Sequence, residues 1–344
     1  MKNQNILVVR NDKLGDFLLA WPAFAMLKRS LPLSRITALV PEYTSELAQA
    51  CPYIDNVIID VGKNSSKAEK KKMLSKIRQQ HFDSVIAFFS DRYNATLLWR
   101  AKIPYRLAPA TKIIQFLYNY RLSQRRSKSE KPEFVYNLDL VRYFLKTNNI
   151  EAIEPKLPYF QFENDILKLQ RTKLIQQLKL STERKWCFIH SGTGGSAKNL
   201  TLQQYARLAK ALMSYFDYQI ILTAGKGECE NALKLQRFIN DERVIIYDKN
   251  DGLVDFAKSI ACCDLFIAGS TGPLHLAASL NKPVIGFYPS KRSACALRWQ
   301  PINETTKQLL ISADHKNPEE TQMSQIDITV VIERAIPFIK SLNL

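Results

Sequence analysis

The 344-residue sequence predicts an α/β protein built from two doubly wound parallel-sheet domains. Three observations carry that expectation. Short apolar runs alternate with stretches of helical periodicity, the alternation pauses near Pro155 and Pro158 and then restarts, and several apolar runs end in small-residue turns that open into helices. The length suits two domains of ordinary size, and an apolar share of 46% with 24% charged residues is the balance of a soluble globular chain.

In the first half, strands are expected at Asn5–Arg10, Ile36–Val40, Val57–Ile59 and Ser84–Phe89. Helices are expected at Gly15–Leu31, Tyr43–Ala50, Lys67–Gln80 and Asn94–Lys102. Thr111–Tyr120 and Phe134–Thr147 also read as helical, with Ser123–Lys131 between them as an exposed polar loop. Ile166–Leu180 is an amphipathic helix leading out of the proline-flanked connection. The second half restarts with strands at Trp186–His190, Gln219–Thr223, Val244–Tyr247, Leu265–Ala268 and Pro283–Tyr288. Its helices fall at Leu202–Tyr215, Glu228–Asn240, Leu253–Cys262 and Gly272–Leu280, with Thr201 as the N-cap of the first. Ile326–Leu344 closes the chain as a final amphipathic helix. The expected domains are 1–160 and 175–325, followed by a helix at 326–344.

No run of about 18 apolar residues is present, so no membrane-spanning helix is expected. Asp12, Lys13 and Asp16 interrupt the first apolar stretch and argue against a signal peptide, which points to the cytoplasm. Six cysteines form no CxxC pair, and with only four histidines no metal site is expected. The net charge of +17 is concentrated: residues 61–131 hold seventeen Lys and Arg against four Asp and Glu. Such a field draws an anionic partner: nucleic acid, a phospholipid surface or a phosphorylated glycan.

Four corners could carry chemistry. After the first strand, Gly15 allows a tight turn and Asp16 stands at a helix start, where it serves either as a capping acid or as a general base. Arg10 and Lys13 beside it offer charge to anionic substrate groups. After Trp186–His190, the segment Ser191-Gly192-Thr193-Gly194-Gly195-Ser196-Ala197-Lys198 supplies hydroxyls, glycine backbone and an ammonium for phosphate oxygens, without being a Walker loop. After Gln219–Thr223 comes Gly225-Lys226-Gly227-Glu228, where Glu228 suits a ribose diol or an ordinary helix start. After Leu265–Ala268, Ser270-Thr271-Gly272-Pro273-Leu274-His275 turns into a helix whose free N–H groups favour an anion. No GxGxxG follows the first strand.

In order and spacing, these corners resemble glycosyltransferase family 9, the bacterial heptosyltransferases of lipopolysaccharide core assembly. The resemblance runs from Ile6-Leu7-Val8-Val9-Arg10 with Gly15-Asp16, through His190-Ser191-Gly192 to Lys198 and Gly225 to Glu228, to Thr271-Gly272-Pro273-Leu274-His275. It implies a GT-B architecture, two Rossmann-like domains facing a central cleft, with the C-terminal helix crossing back to the first domain. It implies Asp16 as the catalytic base of an inverting, metal-independent transfer that needs no cofactor. Ser191, Gly192, Thr193, Gly194, Lys198, Glu228, Ser270, Thr271, Gly272 and His275 are then the donor-binding residues. The implied donor is a nucleotide sugar of the ADP-heptose type. The implied acceptor is an anionic lipid-linked glycan of the lipid A–Kdo kind, met by Arg10, Lys13, Arg121, Arg125 and Arg126, with peripheral contact to the anionic inner membrane at its cytoplasmic face. The family's aspartate before the Thr/Ser-Gly pair is Ser270 here, and its Gly-Pro-Thr-Asp-like segment is Tyr288-Pro289-Ser290-Lys291. A different nucleotide sugar, or a relative without activity, is the alternative within the family. A basic nucleic-acid-binding α/β protein is the alternative outside it, although no nucleic-acid motif is present and no nucleic-acid partner is expected.

Overall fold

The computed structural model describes residues 3–111, 113–194, 198–312 and 323–342. The chain divides into two compact units, Met1–Tyr159 and Phe160–Leu344. Each is built on a six-stranded, wholly parallel sheet.

In the first unit the strands are β1 (Asn5–Val9), β2 (Arg35–Pro41), β3 (Asn56–Asp60), β4 (Ser84–Ala87), β5 (Tyr105–Pro109) and β6 (Tyr120–Leu122), in the order β3-β2-β1-β4-β5-β6. The order reverses between β1 and β4, so the carboxyl ends of those two strands form the point where open α/β sheets place their ligands. Helices α1 (Leu14–Leu18), α2 (Trp21–Ser30), α3 (Glu42–Ala50), α4 (Lys67–Gln79), α5 (Arg92–Arg100) and α6 (Glu133–Thr147) complete it.

Four expectations change here. The helix expected over Gly15–Leu31 is two helices, because Pro22 sits at the start of α2 and has no N–H to donate back along the chain. The helix expected over Thr111–Tyr120 is a single 3₁₀ turn, Ile113–Leu117, followed by β6. Strands β5 and β6 were not expected: β5 is bounded by prolines and β6 is three residues long at the sheet edge, so neither carries a strong alternating signal. The segment Ser123–Lys131 is not wholly an exposed loop, since Gln124 and Ser129 are buried. It contains a 3₁₀ turn, Arg126–Lys128.

The second unit holds β7 (Lys185–His190), β8 (Tyr218–Thr223), β9 (Val244–Tyr247), β10 (Leu265–Gly269), β11 (Val284–Tyr288) and β12 (Gln308–Ser312), ordered β12-β11-β10-β7-β8-β9. Its reversal lies between β7 and β10, so the two sheets share one topology. The helices are α7 (Asn164–Leu178), α8 (Leu202–Tyr215), α9 (Cys229–Ile239), α10 (Leu253–Ala261), α11 (Gly272–Ser279) and α12 (Ile328–Ser341). Helix α8 starts at a capping box in which Thr201 and Gln204 satisfy each other's backbone N–H. The Gln204 amide nitrogen also donates to the carbonyls of Met323, Ser324 and Ile326 at 3.3, 3.1 and 2.9 Å. That staple leads α12, expected to return to the first domain, into the core of this unit, where Ile328, Val331, Ala335 and Ile339 are buried. No described helix is long and apolar enough to cross a membrane.

Candidate functional site

In the first unit, the buried run Ile6 to Val9 delivers Arg10 to the reversal point. The chain then turns at Asn11–Lys13 into α1, whose first turn carries Asp16. The Arg10 guanidinium is 2% exposed and lies among three carboxylates. Its Nη2 donates to Asp16 Oδ1 at 2.6 Å and to Glu133 Oε1 at 3.2 Å, and its Nε is 3.1 Å from Asp12. Its Nη1 donates to the carbonyl of Phe88, just past β4, at 3.2 Å. Arg126 completes the cluster, donating to Glu133 Oε1 at 2.9 Å and to the same Phe88 carbonyl at 3.1 Å. Gln124 accepts from Arg126 Nε at 2.8 Å.

This corrects two sequence readings. Arg10 and Arg126 were expected to meet acceptor anions, but their guanidinium groups are turned inward onto Glu133 and the Phe88 carbonyl. A buried guanidinium needs internal counter-charge, and Glu133 supplies it for both. Lys13, Arg121 and Arg125 are exposed.

Asp16 and Asp12 each keep an edge in solvent, their side chains 16% and 15% exposed, whereas Glu133 is 2% exposed; of the two, Asp16 makes the short bond to Arg10. Burial holds its carboxyl above the ordinary range, Arg10 opposes that, and the Glu133 charge adds to it. Burial likewise raises Asp12 against the pull of Arg10. A carboxylate with a raised affinity for protons, fixed by one short ion pair and still reachable, is suited to general-base work.

In the second unit, Ser191, Gly192, Thr193 and Gly194 leave β7 at the reversal point and wrap around Glu228. The Glu228 carboxylate accepts the N–H of Gly194 through Oε1 and that of Gly225 through Oε2, each at 2.9 Å. Burial would raise this carboxyl, yet the backbone N–H bonds and His190 hold it below its ordinary value. Gly192 leaves room for the Glu228 carboxylate, which a Cβ there would overlap. Glu228 thus shapes the glycine loop, with 15% of its side chain exposed.

His190, at the end of β7, is buried, with Nδ1 3.0 Å from Thr223 Oγ1 and Nε2 3.6 Å from Glu228. Burial lowers its pKa. Asn199, unnoticed in the sequence, ties the two corners together. Its Nδ2 donates to the Ser191 carbonyl at 2.9 Å, its Oδ1 accepts from Tyr205, and a Cβ on Gly269 would meet that Oδ1 at 2.6 Å. Ser270 and Thr271 follow β10 directly, beside this loop, and Gly272 starts α11. Thr271 is 4% exposed and its buried hydroxyl has no hydrogen-bond partner among the described residues. His275, one turn on, is buried near Trp299, and burial lowers its pKa to about 4, so it is neutral at ordinary pH. Lys198 is exposed, whereas Gly195, Ser196 and Ala197 lie outside the described residues.

Glu133 was missed because an acid directly after a proline at a helix start reads as ordinary first-turn chemistry. Nothing local tells that it is buried beside a residue 123 positions away.

Comparison with known proteins bears on the family and the fold. The model of glycosyltransferase family 9 (heptosyltransferase) matches residues 71–327. A Haemophilus influenzae protein, provisionally named a glycosyltransferase, is 53% identical over 98% of this chain and 98% of its own. Lipopolysaccharide heptosyltransferase 2 of Escherichia coli is 22% identical over 82% of each chain. The solved structure of the Escherichia coli ADP-heptose heptosyltransferase II superposes with a TM-score of 0.78 at 20% identity, covering 99% of this chain and 100% of that one. The fold is therefore that of the GT-B heptosyltransferases, as the resemblance implied.

Proposed function

Because the chain belongs to glycosyltransferase family 9 and is a glycosyltransferase, we propose that it is inverting and metal-independent, moving heptose from an ADP-sugar to a lipid A–Kdo type acceptor. The observation that carries the reading is the Arg10–Asp16 pair at the reversal point of the first sheet. In the proposed step the acceptor hydroxyl gives its proton to Asp16. Its oxygen bonds to the anomeric carbon from the face opposite the leaving group. The bond from that carbon to the diphosphate oxygen breaks, and the electron pair leaves with the diphosphate. Lys198, the loop Ser191–Gly194 and the start of α11 at Thr271 and Gly272 stabilise that departing charge, and this is why no metal is invoked. Glu228 takes a ribose hydroxyl through its solvent edge while keeping the loop in shape.

The acceptor would be anionic and lipid-linked, so the enzyme works at the cytoplasmic face of the inner membrane as a peripheral protein. A second reading, a donor other than ADP-heptose, is favoured by Ser270, which puts a hydroxyl where the family resemblance leads one to expect a carboxylate.

The test is thermal stabilisation against a panel of nucleotide sugars that includes ADP-heptose, with ADP and UDP as controls. A transfer assay on Asp16→Asn runs alongside. Stabilisation by ADP-heptose and ADP over UDP is expected, with transfer by the variant reduced at least about a hundredfold. Full turnover by Asp16→Asn would remove the base, and stabilisation only by a different nucleotide sugar would replace the donor.

A further inference from the structure

One face of the first unit carries the lysine-rich helix α4 together with Ile113, the most exposed large apolar side chain of that unit among the described residues, and the exposed Phe116 and Trp99. Helices α4 and α5 and the 3₁₀ turn Ile113–Leu117 pack against the sheet through one cluster that includes Met73, Ile77, Leu97, Leu98 and Tyr118. Within the turn, residues three apart share a face. Ile114 and Leu117 pack on that cluster, so Ile113 and Phe116 point away from it, 91% and 65% exposed. Trp99, on the neighbouring α5, is 51% exposed. The Arg78 guanidinium at the end of α4 donates to the Arg100 carbonyl at 3.2 and 2.7 Å, which brings the lysine-rich helix against the Trp99 end of α5. Arg121 joins the same face: it pairs with Ala108, a member of the cluster, while its neighbour Tyr120 stacks on Tyr105 on the opposite side.

We infer that this face docks the protein on an anionic lipid bilayer, with Trp99, Ile113 and Phe116 entering the headgroup–acyl boundary and the α4 lysines meeting lipid phosphates. Exposed apolar residues rimmed by charge mark an interaction surface. An aliphatic and two aromatic side chains, with the exposed Lys71, Lys72 and Lys76 on the helix packed next to α5, are complementary to acyl chains beneath negative headgroups. A nucleic acid would use the charge but leave Ile113 unburied. The inference deepens the proposed membrane encounter, and only its biological purpose rests on that reading.

The test is co-sedimentation of the whole chain with phosphatidylcholine vesicles, with and without phosphatidylglycerol, at two salt concentrations. The variants are Trp99→Ala/Ile113→Ser/Phe116→Ser and Lys71→Gln/Lys72→Gln/Lys76→Gln, both on exposed side chains. The wild type should pellet with the phosphatidylglycerol vesicles and lose binding as salt rises. The apolar variant should partition roughly tenfold less or weaker still, and the lysine variant should lose about fivefold per lysine. The idea is overturned if the apolar variant binds like the wild type, if the wild type ignores anionic vesicles, or if it is retained on random DNA and not on vesicles. Transfer to a short-chain soluble acceptor, measured in parallel, should be unchanged in both variants. Its absence in a wild type that still binds vesicles would count against the enzymatic reading and leave the docking surface standing.

Discussion

Replacing Glu133 by glutamine tests whether the buried cluster tunes Asp16 or merely holds the fold. Both the Glu133 and Asp16 carboxylates contact Arg10 Nη2, at 3.2 and 2.6 Å, so the two oxygens lie within about 6 Å of each other. At an effective dielectric of about 20, unit like charges about 6 Å apart repel by about 3 kcal/mol. Asp16 has an edge in solvent, which screens part of this repulsion. The direction is fixed: the Glu133 charge raises Asp16, so removing it lowers Asp16. The acid limb of kcat/KM for Glu133→Gln should therefore move to lower pH, read from a pH profile with the wild type alongside. Stability should fall by about 1–3 kcal/mol in urea, because a neutral amide serves two buried guanidinium groups less well. Glu133→Ala should cost about 3–5 kcal/mol. An acid limb that stays put, or moves upward, would show that Glu133 has no influence on the proposed base and would reduce it to a structural ion pair.

Two further outcomes follow from the second unit. His275 has its pKa lowered by burial from 6.5 to about 4, so the unfolded chain takes up the proton first and stability is lost as pH falls through that window. Between pH 7 and 5 this site should cost about 2 kcal/mol in urea unfolding, and His275→Gln should flatten that share. An unchanged pH dependence in the variant would refute the assignment. Gly192→Ala must push the Glu228 carboxylate off its place and strain its bonds to Gly194 and Gly225. A loss of about 1–3 kcal/mol and weaker stabilisation by nucleotide sugars are expected. A variant as stable as the wild type, with unaltered nucleotide binding, would show that the loop does not depend on that contact.

Much of the molecule was legible in its residues because the signals are local. Helix Leu202–Tyr215 was placed to the residue, since a capping box and an amphipathic stripe both lie within its own sequence. The buried central strands announced themselves as apolar runs, and the corners that follow β1, β7, β8 and β10 as small-residue turns. Strands β5, β6 and β12 were illegible: β5 is bounded by prolines, β6 has only three residues, and β12 lies at a sheet edge with a single neighbour, so none carries a strong local signal.

What the sequence by itself determined is the rhythm of strands and helices, the chemistry available at each corner and the family those corners resemble. Tertiary structure decided which charges are internal. Arg10 meets Glu133 across 123 residues, and Glu228 closes on Gly194 across 34, so Arg10 is held inward beside Asp16 and Glu228 also keeps the shape of its loop. It also decided that, of the run Ile113-Ile114-Gln115-Phe116-Leu117, one apolar pair faces the core and the other faces outward. The physical reason is the same in each case: backbone propensity is a property of neighbours in sequence, whereas burial and charge pairing are properties of segments that meet only once the chain has folded.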